Sequence, residues 1–260
     1  MDIDEYLEKF NNPDLIPGIY NYCDRWCERC SFTKRCANFD PELDLNDESS
    51  DINNEKFWNK LSEIFAFTKE LILRDAEKLG IDLNNLEPDP DYEELREKER
   101  EWKKNHPISK LSNKYAEKID EWFKKSKELF SQKGIELESY FQMEIPNINV
   151  ENEIVKLKDS IEVIRWYQFF IHVKLNRALS LKSEIDFDEY DSNGSAKVAL
   201  IGIDRSLAAW STLLNVFEEG ENNILNFLVI LEQLRKKVEN HFPNARKFKR
   251  PGFEVIDLNE

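Results

Sequence analysis

Four cysteines are the residues of this sequence best placed to do chemistry. Cys23, Cys27, Cys30 and Cys36 all fall within one stretch, YCDRWCERCSFTKRC, and the 260-residue chain has no other cysteine. Their spacing is C-x3-C-x2-C-x5-C. Thiolates are soft anionic donors, and four of them this close in sequence can converge on one metal ion or one small cluster. Tyr20, Tyr22, Trp26, Phe32 and Phe39 surround them and would keep water from a labile centre. Arg25, Arg29, Lys34 and Arg35 would offset the negative charge of thiolate ligation.

Two metals suit such a donor set. Four-cysteine zinc sites are tetrahedral, with Zn–S near 2.3 Å, and usually come as two C-x2-4-C knuckles separated by a longer loop. Here the two halves nearly merge, which suits the tighter wrap of a cluster held by four thiolates. The expected cofactor is therefore a [4Fe–4S] cluster, with a zinc ion as the alternative. A third reading has thiols that are simply buried or transiently oxidised.

The Cys27-x2-Cys30-x5-Cys36 part resembles the cluster motif of WhiB-like regulators and the cluster loop of endonuclease III-type DNA glycosylases. Cys23-x3-Cys27-x2-Cys30 is similar to the radical-SAM triplet. The resemblance spans about 14 residues, from Cys23 to Cys36. It implies the ligand type and no activity. The repeated βα units, Gly-rich hairpin and Gly/Trp turn of those families are not found here.

A second set of polar residues lies in apolar surroundings. In SIEVIRWYQFFIHVKLNRALS, Glu162, Arg165, His172 and Asn176 fall on one arc at about 100° per residue. In AKVALIGIDRSLAAWSTLL, Lys197 and Asp204 share a face. Unpaired charges on such helices are expensive to bury. The expectation is a solvated edge or an ion-pair network, with Arg165–Asp204 or Glu162–Lys197 as the pairs. The functional alternative is a polar pocket lined by Glu162, Arg165, His172, Lys197 and Asp204. A di-iron centre of the Glu-x-x-His kind is disfavoured, because Lys103, Phe169 and Val238 stand three residues before the three histidines.

These residues need elements to hold them. Residues 1–12 read as a short helix ended by Pro13, and 40–54 as an acidic linker. Phe57, Leu61, Ile64, Leu71 and Ile72 recur at helical spacing from Glu55 to Leu79, with Gly80 as a stop. The charged stretch after Pro88 reads as a solvated helix or excursion. A second core helix is expected from about Ser109 to Lys133, ended by Gly134. A third runs from about Val150 to Leu181, a fourth from Ser195 to Phe217 after the polar loop DFDEYDSNG, and a fifth from Asn222 to Asn240.

The expected fold is all-α, an antiparallel bundle of four to five long helices with an N-terminal cysteine-rich metal-binding segment. Residues 1–40 are the four-cysteine module, 55–241 the bundle and 242–260 an extended tail. The basic run from Arg246 to Arg250 reads as a segment packed on an acidic body, or as a docking peptide.

A net charge of −15 argues against a general nucleic-acid or anionic-membrane surface. No phosphate-binding Gly-rich motif and no nucleophile elbow is present. MDIDEYLEKF has neither a basic nor an apolar signal region, and no run approaches the roughly 18 apolar residues of a membrane span. The expected location is the cytoplasm, where clustered cysteines bind metals more often than they form disulfides.

Two function classes follow. In the first, the protein is a non-catalytic redox-sensing or partner-binding factor with a protein partner. In the second, it is an iron–sulfur oxidoreductase or metalloenzyme using a pocket between the third and fourth helices.

Overall fold

Helical periodicity dominates the sequence, and every regular element among the described residues is helical. The fold is all-α. The computed structural model describes residues 12–39, 53–83, 91–143, 149–180, 187–217 and 220–254. The helix expected over 1–12 and nearly all of the acidic linker lie outside them. The α-helices are α1 (Glu55–Leu79), α2 (Tyr92–Asn105), α3 (Pro107–Lys125), α4 (Lys127–Gln142), α5 (Val150–Ala178), α6 (Phe187–Leu214) and α7 (Glu221–His241).

Local chemistry sets several helix ends. The Asn54 side chain accepts from Lys56 N–H at 3.0 Å to start α1, and Gly80 caps its other end. His106 caps α3 by accepting from Ile108 N–H at 3.2 Å, and Pro107 fills the first position, where a missing N–H costs nothing. Asn149 accepts from Asn152 N–H at 3.0 Å to start α5.

Three boundaries differ from the sequence expectation. The helix read as continuous over 109–133 breaks at Ser126, dividing α3 from α4. The break lets Trp122 and Phe123 on one side and Phe130 on the other share one aromatic cluster, with centroids 5.5 and 5.8 Å apart. Gly134 lies inside α4 instead of ending a helix. The stretch read as a polar loop before Ser195 is the first part of α6.

The described residues fall into two compact units. One comprises those within 12–21, 25–95 and 251–254; the other comprises those within 22–24 and 96–250.

In the larger unit α5 packs most extensively on α6, and α3 and α7 complete the core. Ile164, Tyr167, Ile171 and Leu175 of α5 and Val198, Ile203 and Trp210 of α6 are all fully buried. Each such apolar side chain contributes about 1.5–3 kcal/mol by leaving water. Two polar tips inside this core are partnered: Trp210 Nε1 donates to the Tyr115 hydroxyl at 3.0 Å, and Gln168 donates to the Ala116 carbonyl at 3.0 Å.

The stretch read as an extended tail is more ordered than expected. Phe242, Ala245 and Phe248 are buried, and Ala245–Lys247 form a 3-10 turn against α6. Their spacing of three buries one side of the turn, which the basic residues between them obscured in the sequence.

In the smaller unit α1 stands largely exposed, with Ala76 its one buried residue. No described helix is long and apolar enough to cross a membrane.

Candidate functional site

The cysteine segment is built from short turns. Cys27–Arg29 and Thr33–Arg35 are 3-10 turns, each followed by a cysteine whose N–H closes it: Cys30 donates to Cys27 O at 3.1 Å and Cys36 to Thr33 O at 3.2 Å. Phe32 N–H donates to Cys30 Sγ at 3.4 Å. Hydrogen bonds to sulfur are among the features that tune thiolate-ligated centres. Arg25 adopts the left-handed region at φ 57°, a conformation that costs a non-glycine residue about 1–3 kcal/mol. The Arg29 guanidinium sits 3.9 Å over the Trp26 ring.

The chain on either side of this segment is tied together. Ile16 N–H donates to Arg35 O at 2.9 Å, and Arg35 Nε donates to Asp14 O at 3.0 Å. Phe32 meets Phe253 edge to face at 5.1 Å, and buried Ile19 lies against Gly252, where an added Cβ would stand 3.0 Å from its Cδ1. The roles of Asp14, Ile16 and Phe253 are absent from the sequence reading, because each depends on a partner about twenty or more residues away.

None of the four cysteines is in a disulfide. Cys27 is exposed, and Cys23, Cys30 and Cys36 are half-buried. Among the described residues no three His, Cys, Asp or Glu side chains are gathered closely enough to hold a metal ion.

Cys23 lies between two residues fixed on the larger unit. Tyr22 is buried against Phe248, 4.8 Å between ring centroids, and its hydroxyl donates to Asp191 at 3.1 Å. Burial first, and Asp191 second, raise the Tyr22 pKa above its ordinary value. Gly194 of α6 makes this possible: a Cβ there would stand 2.8 Å from Phe248 Cζ and closer still to the Tyr22 ring. Asp24 accepts from Tyr167 at 2.5 Å and from Arg205 at 2.6 Å, while its carbonyl accepts from Trp166 Nε1 at 3.0 Å. Arg205 also donates to the Tyr167 hydroxyl.

The five residues read as a possible pocket are dispersed. Asp204 pairs with Arg246 at 2.5 Å and Arg235 at 3.8 Å, not with Arg165. Lys197 Nζ donates to Arg246 O at 2.8 Å, not to Glu162. Arg165 stacks 4.3 Å over the Phe123 ring, and Glu162 is exposed on α5. The reason lies in the α5–α6 contact. Gly202 brings the helices so close that a Cβ would stand 2.9 Å from Tyr167 Cδ1, and the interface closes over apolar side chains. The basic run, read as a segment packed on an acidic body or as a docking peptide, packs on acidic residues at Arg246 and supplies the partners for both α6 charges.

His172 faces α3 instead. Asn176 Nδ2 lies 2.8 Å from its Nε2, and Ser112 Oγ lies 2.9 Å from its Nδ1. Ser112 donates to Ser109 O, and Ser109 Oγ donates to Asn176 Oδ1 at 2.8 Å. Asn176 can only donate from that nitrogen, so Nε2 accepts and Nδ1 carries the proton. The ring is a neutral imidazole, and burial lowers its pKa below the ordinary value. This network floors an open cleft of about 610 Å3 lined by Arg100, Lys103, Lys104, Asn105, Lys110 and Asn113, with Ser109, His172 and Asn176 beneath.

Comparison with family models, with curated proteins and with solved structures finds no match to this chain.

Proposed function

We propose that Cys23, Cys27, Cys30 and Cys36 together bind one metal centre, a [4Fe–4S] cluster, and that the protein is a non-catalytic redox-sensing or partner-binding factor. It would do so as an antiparallel bundle of four to five long helices carrying an N-terminal cysteine-rich metal segment in the cytoplasm. The cysteine spacing motivates this reading. The structural observation that carries it is the Phe32 N–H donated to Cys30 Sγ, within tandem turns that each end on a cysteine. One backbone amide is thereby offered to one of the four sulfurs.

Loading would bring the four thiolates to one centre. Metal binding then is local folding: ligation energy offsets the ordering entropy, and loss of the centre releases it. This supports sensing over catalysis. The dispersed polar residues of α5 and α6 supply no acid, base and nucleophile in one place. A bound cluster would supply one-electron chemistry, and the chain would supply the four thiolates, the amide on Cys30 and the cations Arg25, Arg29, Lys34 and Arg35.

Anaerobic purification with metal and acid-labile sulfide analysis tests the reading. Iron and sulfide in equal amounts support it. One zinc without sulfide would replace the cluster by the alternative metal, and protein without either would reject metal binding.

A further inference from the structure

We propose that the cleft between α2, α3 and α5 binds a phosphorylated small molecule through Lys104, Lys110, Arg100 and Lys103. The inference is independent of the cysteine segment.

The chain carries 52 acidic residues against 37 basic ones, so its overall field repels anions. The cleft lining runs against that balance. Four of its nine residues are cationic and none is a carboxylate. Two of the cations are engaged: Arg100 with Glu97 at 3.2 Å, and Lys103 with Glu99 at 2.6 Å and Ser180 Oγ at 2.9 Å. Lys104 and Lys110 have no ion-pair partner among the described residues. Their charge is available to a ligand. Of the lining residues, Asn113 donates to the Glu117 carboxylate at 2.9 Å.

The helix geometry adds to this field. Lys103 and Lys104 occupy the last turn of α2, and Lys110 follows the first turn of α3, whose positive end opens at Ser109. The one-residue connection at His106 therefore brings the cations at the end of α2 and the start of α3 to one opening. Below them the Ser109–Asn176–His172–Ser112 network is closed on itself, so the floor is rigid and already satisfied. Hydrogen-bonding groups at the rim, Asn105 and Asn113, suit hydroxyl or phosphoryl oxygens.

Volume and lining narrow the ligand class. About 610 Å3 lies within the roughly 300–1,000 Å3 of small-molecule sites and exceeds what one phosphate needs. No Phe, Tyr or Trp ring lines the cleft, and its one imidazole, His172, is tied edge-on to Ser112 and Asn176, so it offers no free platform for stacking a base. A sugar phosphate or a polyphosphate fits this chemistry; a nucleic acid does not.

Titration calorimetry on the full chain tests the proposal, with sodium tripolyphosphate and with inorganic phosphate as probes, at about 0.15 M salt. Tripolyphosphate should bind more tightly than phosphate. Lys104→Glu and Lys110→Glu should each weaken it by about tenfold or more, while Lys124→Glu, exposed elsewhere on α3, should change it less than about twofold. Lys104→Gln and Lys110→Gln give the same reading with smaller perturbation, and melting curves confirm that every variant is folded. Equal losses in all three charge reversals would mean diffuse attraction and overturn the site. So would absence of binding at about millimolar probe, the weakest affinity of interest.

Discussion

The Asp24 carboxylate accepts from the Arg205 guanidinium at 2.6 Å, one residue after Cys23. The same oxygen accepts from the Tyr167 hydroxyl, and burial first, then Asp24, raises that phenol's pKa above its ordinary value. The chain next to the first cysteine is thereby fixed to α5 and α6. Asp24→Asn should destabilise the protein by about 1–2 kcal/mol: an exposed pair alone contributes roughly 0–1, and the tyrosine loses a charged acceptor as well. Arg205 is half-exposed, so the larger values for buried pairs do not apply. Denaturant melts of the two single variants and the Asp24→Asn/Arg205→Ala double should be non-additive. Additivity would show that the pair contributes nothing.

Gly194→Ala should cost about 1–3 kcal/mol, the usual penalty for inserting a methyl group into a packed contact. The new Cβ meets the Tyr22 and Phe248 rings. In a Tyr22→Ala background the same change should cost much less, because the nearest obstruction is gone. Chemical denaturation of the four proteins of that cycle measures this. An unchanged cost in the Tyr22→Ala background would place the strain elsewhere.

The pH dependence of stability carries a defined sign. Burial holds the His172 pKa below its ordinary 6.5, and His106 is lowered too, by burial first and His241 second. The unfolded chain therefore takes up these protons first as pH falls. Stability from the neutral rings is present above about pH 6.5 and is lost as the pH falls through the lower folded values. The melting temperature should drop between about pH 7.5 and 5.5, and His172→Gln should reduce that drop. A steeper drop in the variant would reverse the sign and contradict the neutral ring.

Much of this fold is legible in the sequence because helical stripes repeat over many turns. Phe57 through Ile72 and Tyr115 through Trp122 announce their helices, and Gly80 and Phe242-Pro243 mark ends the structure keeps. The start of α6 is not legible. Its first residues are polar and include Gly194, so local propensity disfavours a helix, and the contact that requires the glycine comes from Tyr22 and Phe248, far away in sequence. The pairing of Asp204 escaped for the same reason: Arg246 approaches it from the last segment, which has no helical pattern. The cysteine spacing is local and fully legible, whereas the anchors on either side of Cys23 are not.

The central claim is that Cys23, Cys27, Cys30 and Cys36 ligate one metal centre. X-ray absorption at the metal edge of anaerobically purified protein tests it most directly, with each cysteine replaced in turn by serine. The account predicts an all-sulfur first shell near 2.3 Å, the range of metal–thiolate bonds, and loss of the centre or an oxygen ligand in each Cys→Ser variant. A nitrogen- and oxygen-dominated shell, or a spectrum unchanged when Cys30 or Cys36 becomes serine, would contradict it.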